Sequence, residues 1–163
     1  MKKQILNNQQ IEQKINRMAY EMLELYMDKE LVLVGIEPRG NILADRITAI
    51  YNTVSKTKAE SISLQIDKEN PYNLAINEQL LSKVKNKNVV IVDDVLNSGK
   101  TIMYALKPFL QIELKNLGVL VLVDRDHKQY PVFARFVGMS LSTTLNEHIS
   151  VEFNSGNDAA YLL

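Results

Sequence analysis

NVVIVDDVLNSGKT, from Asn88 to Thr101, is an apolar run that ends in two carboxylates and then in a turn of small polar residues. Val89, Val90, Ile91 and Val92 predict a strand buried on both faces. Asp93 and Asp94 stand at its carboxyl end, where open α/β sheets bind their ligands. Beyond Val95 and Leu96, the residues Asn97, Ser98, Gly99, Lys100 and Thr101 open a helix with small side chains and closely approaching N–H groups. Such a helix start cradles a phosphate. Carboxylates accept from vicinal hydroxyls, whereas amides and hydroxyls donate to phosphate. One ligand carrying both groups, a sugar phosphate, suits the segment.

Ser98-Gly99-Lys100-Thr101 also reads like the end of a nucleotide-triphosphate loop. That loop needs glycine five residues before Gly99, where this chain has Asp94. Two acids at the mouth would also repel a triphosphate. A divalent-metal site is the other chemistry open to paired acids, and a plain strand-to-helix turn is the structural one.

Upstream, Leu31 to Ile36 predicts a second buried strand, followed by the loop Glu37-Pro38-Arg39-Gly40. Asn41 is placed to cap the next helix, whose apolar face uses Ile42, Leu43, Ile47, Ile50 and Val54. Ile11, Ile15, Met18, Met22 and Leu25 recur at helical spacing and mark an amphipathic N-terminal helix. Ile62, Leu64 and Ile66 alternate as a strand does. Residues Asp67 to Lys87 lack a clean period and read as a long loop with room for a short helix. Downstream, Thr101 to Leu110 predicts a helix, and Leu117 to Val123, Val132 to Gly138 and His148 to Phe153 predict strands before a short polar tail. Alternating strands and helices imply an α/β fold with a mostly parallel sheet flanked by helices. No repeat or linker interrupts the chain, so residues 1–163 are expected to form one domain.

Composition narrows the classes of function. The 163 residues contain no Cys, which excludes disulfides and thiolate metal sites, and two His make a weak basis for zinc. Lys plus Arg and Asp plus Glu number 19 each, so no global field draws nucleic acid. No segment has the length of a membrane span, and Met1 to Gln10 is too polar for a signal peptide. A cytoplasmic location is the simplest expectation.

The Val89 to Thr101 run resembles the 5-phosphoribosyl 1-diphosphate (PRPP) signature of the type I phosphoribosyltransferases. With INRMAYEML (Ile15 to Leu23), LVGIEPRGNILADRI (Leu33 to Ile47) and VLVDRDHKQYPVFARFVG (Val121 to Gly138), the chain is similar to the pyrimidine-operon attenuator and uracil phosphoribosyltransferase (PyrR) family. The resemblance implies the type I fold with a small hood region. It also implies transfer of ribose 5-phosphate from PRPP to a nucleobase, uracil foremost, giving UMP and pyrophosphate with Mg²⁺ carried by PRPP rather than by the protein. A purine or other acceptor, and a nucleotide-sensing regulator that binds pyr mRNA, remain as alternatives. So does a degenerate module that binds PRPP without turnover. A homo-oligomer is expected, and no membrane partner.

The resemblance assigns PRPP to Asp93, Asp94, Val95, Leu96, Asn97, Ser98, Gly99, Lys100 and Thr101. It assigns the pyrophosphate to Pro38, Arg39 and Gly40, with a non-proline cis peptide implied at Pro38–Arg39. Asp93, Asp94 and Arg39 carry catalysis by electrostatics and positioning. The base is placed near Asp124, Arg125, His127, Ile149 and Ser150, and residues 67–87 match the flexible hood. Several positions depart from the family pattern. Gln65, Ile66, Asp67 and Lys68 stand where Tyr-Arg-Asp-Asp is usual, so a hood Arg is missing and Lys68 offers a cation without a bidentate fork. Asp126 replaces a Gly, and Phe133 and Met139 replace basic residues of the RNA-facing surface, which weakens phosphate contacts.

Overall fold

The computed structural model describes residues 2–75 and 78–163. Strands β2 (Leu31–Ile36), β3 (Glu60–Leu64), β4 (Asn88–Leu96), β5 (Asn116–Arg125) and β6 (Phe136–Leu141) form one sheet, in the order β3-β2-β4-β5-β6. Every pairing in it is parallel. β2 and β4 are buried along their whole length, which is why both read as unbroken apolar runs.

Strand alternation divides the core in two. Leu31, Leu33, Val90, Val92, Leu120 and Leu122 face helices α1 (Asn8–Tyr26) and α2 (Gly40–Val54). Val32, Val34, Val89, Ile91, Val119 and Val121 face α4 (Lys100–Leu106) and the 3₁₀ turn at Lys107–Gln111. Helix α1 starts with a capping box: Asn7 Oδ1 accepts from the Gln10 N–H, and the Gln10 side chain accepts from the Asn7 N–H.

A second sheet lies outside the parallel one. β1 (Lys3–Leu6), β8 (Ala159–Leu162) and β7 (Ile149–Glu152) pair antiparallel in the order β1-β8-β7. The expected polar tail is therefore wrong for Ala159–Leu162, because a four-residue strand carries too short a pattern to be read as a strand. A buried ion pair ties this sheet to α2: Arg46 donates to Asp158, which also accepts from the Asn154 N–H at 2.9 Å. The Asp158 side chain is only 2% exposed, so Arg46→Met strands a buried carboxylate. We expect a loss of about 3 kcal/mol in urea unfolding.

Other boundaries differ locally. Leu25 is exposed and Tyr26 takes the buried position, since a helix advancing 100° per residue has turned Leu25 away from the sheet. Ile42 and Val54 lie at the rim of α2, while Leu43, Ala44, Ile47 and Tyr51 are fully buried. Helix α2 begins at Gly40 with Arg39 as its N-cap residue, so Asn41 is inside the helix and does not cap it. The strand expected from Val132 begins at Phe136 instead; Val132 and Ala134 pack against the α4 side before the chain enters the sheet. Residues 67–87 contain a 3₁₀ turn at Pro71–Asn73 and helix α3 (Glu78–Val84); Ile76 and Asn77 lie outside the described residues.

Candidate active site

β4 stays buried to its last residue, so Asp93 and Asp94 are carried into the protein and are each 3% exposed. Consecutive residues of a strand point to opposite faces, and each carboxylate meets its own cation. Arg39 Nε donates to Asp94 Oδ2 at 2.6 Å. Lys68 Nζ lies 3.3 and 3.4 Å from the two oxygens of Asp93. Asp93 Oδ1 also accepts from the Asp94 N–H at 2.9 Å. Burial, and then the neighbouring Asp94, push the Asp93 carboxyl up to about 7, with Lys68 acting in the opposite direction.

Arg39 reaches β4 because the loop between β2 and α2 lies directly on that strand. A Cβ on Gly40 would stand 2.3 Å from the Val92 carbonyl oxygen, so only glycine permits this approach. The cis bond of the loop is Glu37–Pro38, one residue before the position the resemblance implied. An X–Pro amide has a far smaller trans preference than the Pro38–Arg39 bond.

The turn after β4 hinges on Gly99, whose φ of +83° places it in the left-handed region as the N-cap of α4. The Ser98 carbonyl accepts from the N–H groups of Gln129 at 2.8 Å and Tyr130 at 3.0 Å. That anchors the turn from outside. Ser98 Oγ accepts from the Lys100 N–H at 3.3 Å.

These parts enclose a cleft of about 170 Å³, lined by every residue from Asp93 to Ile102 together with Arg39, Lys68 and Ile149. All nine residues expected to bind PRPP line it. Pro38 and Gly40 shape its loop without lining it. Lys68, expected only as a hood cation in place of the missing Arg, also lines the cleft; it is the first cation after β3, at the same end of the sheet as the acids.

A second cavity, of about 690 Å³, adjoins the first through the shared residues Asn97 and Ser98. Arg125 and His127 line it, as do Lys128, Gln129, Leu145 and His148. Arg125 is buried and acts as a strut, its Nε donating to Thr143 Oγ1 at 2.5 Å and its Nη2 to the Thr144 carbonyl at 2.7 Å. His127 Nε2 meets the Thr143 carbonyl. A carbonyl only accepts, so Nε2 carries the proton and neutral His127 keeps Nδ1 as an acceptor. Asp124 and Ser150 line neither cavity. Asp124 accepts from Lys128 Nζ at 2.8 Å instead. Thr143, Thr144 and His148 were missed, because nothing local in the sequence connects them with β5.

Among the described residues, no group of three or more His, Asp or Glu is placed to hold a metal ion. No described helix is long and apolar enough to cross a membrane.

The family described as "Phosphoribosyl transferase domain" matches residues 1–155. The chain is 36% identical over 162 residues to the "Bifunctional protein PyrR" of Ligilactobacillus salivarius, covering 93% of this chain and 91% of that one. It is 34% identical over 157 residues to the protein of the same name from Leuconostoc citreum, covering 91% and 90%. Among solved structures, the hypoxanthine phosphoribosyltransferase of Trypanosoma cruzi superposes with a TM-score of 0.79 at 13% identity, over 97% of this chain and 95% of that one. A hypoxanthine-guanine phosphoribosyltransferase from Bacillus anthracis gives 0.77 at 16% identity, over 98% and 96%. At such identities these two structures establish the fold.

Proposed function

The chain belongs to the phosphoribosyl transferase family, within its PyrR branch, and on that premise we propose that it transfers the ribose 5-phosphate of PRPP to uracil. The products are UMP and pyrophosphate. The observation that carries this reading is the pair of buried carboxylates, each held by a separate cation, beside the Gly99 turn in one cleft.

The division of labour follows from the chemistry of the lining. N–H groups of Leu96 to Thr101, with the Ser98 and Thr101 hydroxyls, hold the 5′-phosphate. Asp93 and Asp94 accept from the ribose 2′- and 3′-hydroxyls, and their charge steadies the cation that develops on the sugar ring. Arg39 stands as countercharge to the pyrophosphate, with Pro38 and Gly40 setting the loop. The base occupies the adjoining 690 Å³ cavity, beside Arg125 and His127 and with Ile149 at the border. Its nitrogen forms the new bond to C1 as the C1–O bond breaks. Pyrophosphate leaves with the electron pair, and the base gives up its N–H proton. His127 Nδ1 supplies an acceptor suited to such an N–H.

Among the described residues, the two cleft carboxylates are each held by a cation, a donor set that fits a Mg²⁺ ion arriving on PRPP with its waters rather than one caged by the protein. When bound, it neutralises phosphate charge. Residues 1–163 act as one domain in this reading, because both apolar cores share one sheet. A cytoplasmic homo-oligomer is the corresponding state.

Calorimetric titration with PRPP and Mg²⁺, followed by pyrophosphate release across uracil, hypoxanthine, guanine, xanthine, adenine and orotate, tests the proposal. Release with uracil alone supports it; release with a purine alone moves the assignment to that base. Arg39→Ala is expected to raise the apparent KM for PRPP and to slow turnover about tenfold or more, as loss of a charge partner does. Unchanged values for both would remove Arg39 from the pyrophosphate site.

The relatives are named bifunctional, and we take the second role to be the one the resemblance implies, sensing nucleotide and binding pyr mRNA. Nucleotide-dependent gel retardation of that RNA would establish it. PRPP binding without release on any base would make it the principal function.

A further inference from the structure

Lys68 stands on a built turn. The Asp67 carboxylate accepts from the Glu69 N–H at 2.9 Å and from Asn70 Nδ2 at 3.2 Å, closing the turn around Lys68. Asn70 Oδ1 accepts in turn from the Tyr72 hydroxyl at 2.8 Å. The Tyr72 ring meets Tyr104 of α4 edge-on, with centroids 6.4 Å apart, and Tyr104 continues to Tyr130 at 6.3 Å. Tyr130 is one of the two residues whose N–H groups hold the Ser98 carbonyl. The segment that presents Lys68 is thus anchored to the helix and turn that bound the cleft.

From this position Lys68 reaches both oxygens of Asp93, the same oxygens that the ribose hydroxyls require. Asp93 Oδ1 already accepts from the Asp94 N–H and from Lys68 Nζ, which fills both of its lone pairs, so a ribose hydroxyl arriving at that oxygen displaces the ammonium. The cation must move, and an arriving anion is the partner that lowers its energy. Lys68 is 36% exposed on a flexible stem, so it can move without breaking the core. Resting on the reading of the cleft as a PRPP site, we infer that Lys68 is a mobile countercharge, neutralising Asp93 in the empty cleft and passing to the anionic diphosphate end of the substrate as the ribose takes its place.

The charged groups facing Asp93 are few. On its own strand stands Asp94, which is held by Arg39 from the loop before α2; Lys68 comes from the segment after β3, and Lys100 from the start of α4 borders the same cleft. Across the sheet β5 offers Val121, and α2 offers the backbone of Gly40. Among the described residues, Lys68 is the cation that acts directly on Asp93, lowering a carboxyl pKa that burial and Asp94 raise.

The test follows the Asp93 carboxyl by ¹³C NMR across pH in the free wild-type protein, Lys68→Met and Lys68→Arg, alongside calorimetric titration of each with PRPP and Mg²⁺. Lys68→Met is expected to raise the Asp93 midpoint by about one pH unit and to weaken PRPP about tenfold. Lys68→Arg should restore both, which a merely structural lysine would not require. An unmoved Asp93 midpoint in Lys68→Met overturns the inference. So does a moved midpoint with unchanged PRPP affinity, and in that case the site reading stands, since wild type still binds. A wild-type protein that fails to bind PRPP removes the site reading and the inference together.

Discussion

Asp94→Asn is expected to leave the fold intact while lowering PRPP-dependent turnover by about a hundredfold or more. Asparagine has nearly the same shape and can still accept from Arg39 through its amide oxygen, so the strand end keeps its packing. What disappears is a buried negative charge beside the carbon that reacts in the proposed transfer. Its loss has two further consequences. Arg39, held by Asp94 Oδ2 at 2.6 Å, loses its ionic restraint and with it part of its orientation. Asp93 loses the like charge that helps to raise its pKa, so its titration midpoint should fall in this variant. Steady-state kinetics with a pH series of kcat/KM reads both effects. Wild-type kinetics would place the chemistry elsewhere in the molecule.

Asp93→Asn should act with opposite signs on activity and on stability. Burial and Asp94 raise the folded-state pKa of Asp93 to about 7, against about 3.9 in an unfolded chain. The native protein therefore holds this proton more tightly than the unfolded one. Below pH 4 the carboxyl is protonated in both states and costs the fold nothing. As pH rises from 4 toward 7 the unfolded state gains by ionising first, and native stability falls; above 7 the difference is constant. Asparagine removes that penalty. The variant should be more stable than wild type at pH 8, by at most about 4 kcal/mol, with the gap closing as pH approaches 4. Turnover should fall about a hundredfold or more through loss of a ribose acceptor. Thermal melts between pH 4 and 8 decide it. A variant less stable than wild type at pH 8 would show that the ionised carboxylate is well solvated by its partners and not strained.

Under the proposed function, the expected opposition of these effects gives a reason for a buried, doubly apolar strand to end in two acids. Local consistency favours continuing the apolar run, and function overrides it. Such a violation is visible in sequence because it interrupts a strong pattern. The same holds for Gly99, whose neighbours are small and polar where a helix must start. It does not hold for Leu25 and Tyr26. Both are apolar at neighbouring positions of one helix, and only the direction of the sheet determines which of them is buried. Nor does it hold for Ala159–Leu162, whose strand exists because Lys3–Leu6 lies alongside it.

Asn88 to Thr101 carried most of what could be read in advance. Strand, acid pair, turn and helix are contiguous there, so covalent connection alone places the carboxylates next to the turn proposed to hold the phosphate. The bounds of β2, Leu31–Ile36, were equally legible, since a strand buried on both faces has no polar position to blur them. Tertiary structure decided the partners of those acids. Arg39 is 55 residues from Asp94, and Lys68 is 25 from Asp93; they meet because the sheet order β3-β2-β4 brings the ends of three parallel strands together. The strut from Arg125 to Thr143 and Thr144, and the second cavity beside it, arise in the same way. Local pattern reports which face of an element is apolar. Which charges face one another across a cleft depends on the order of strands, and that order is set by packing between segments far apart in the chain.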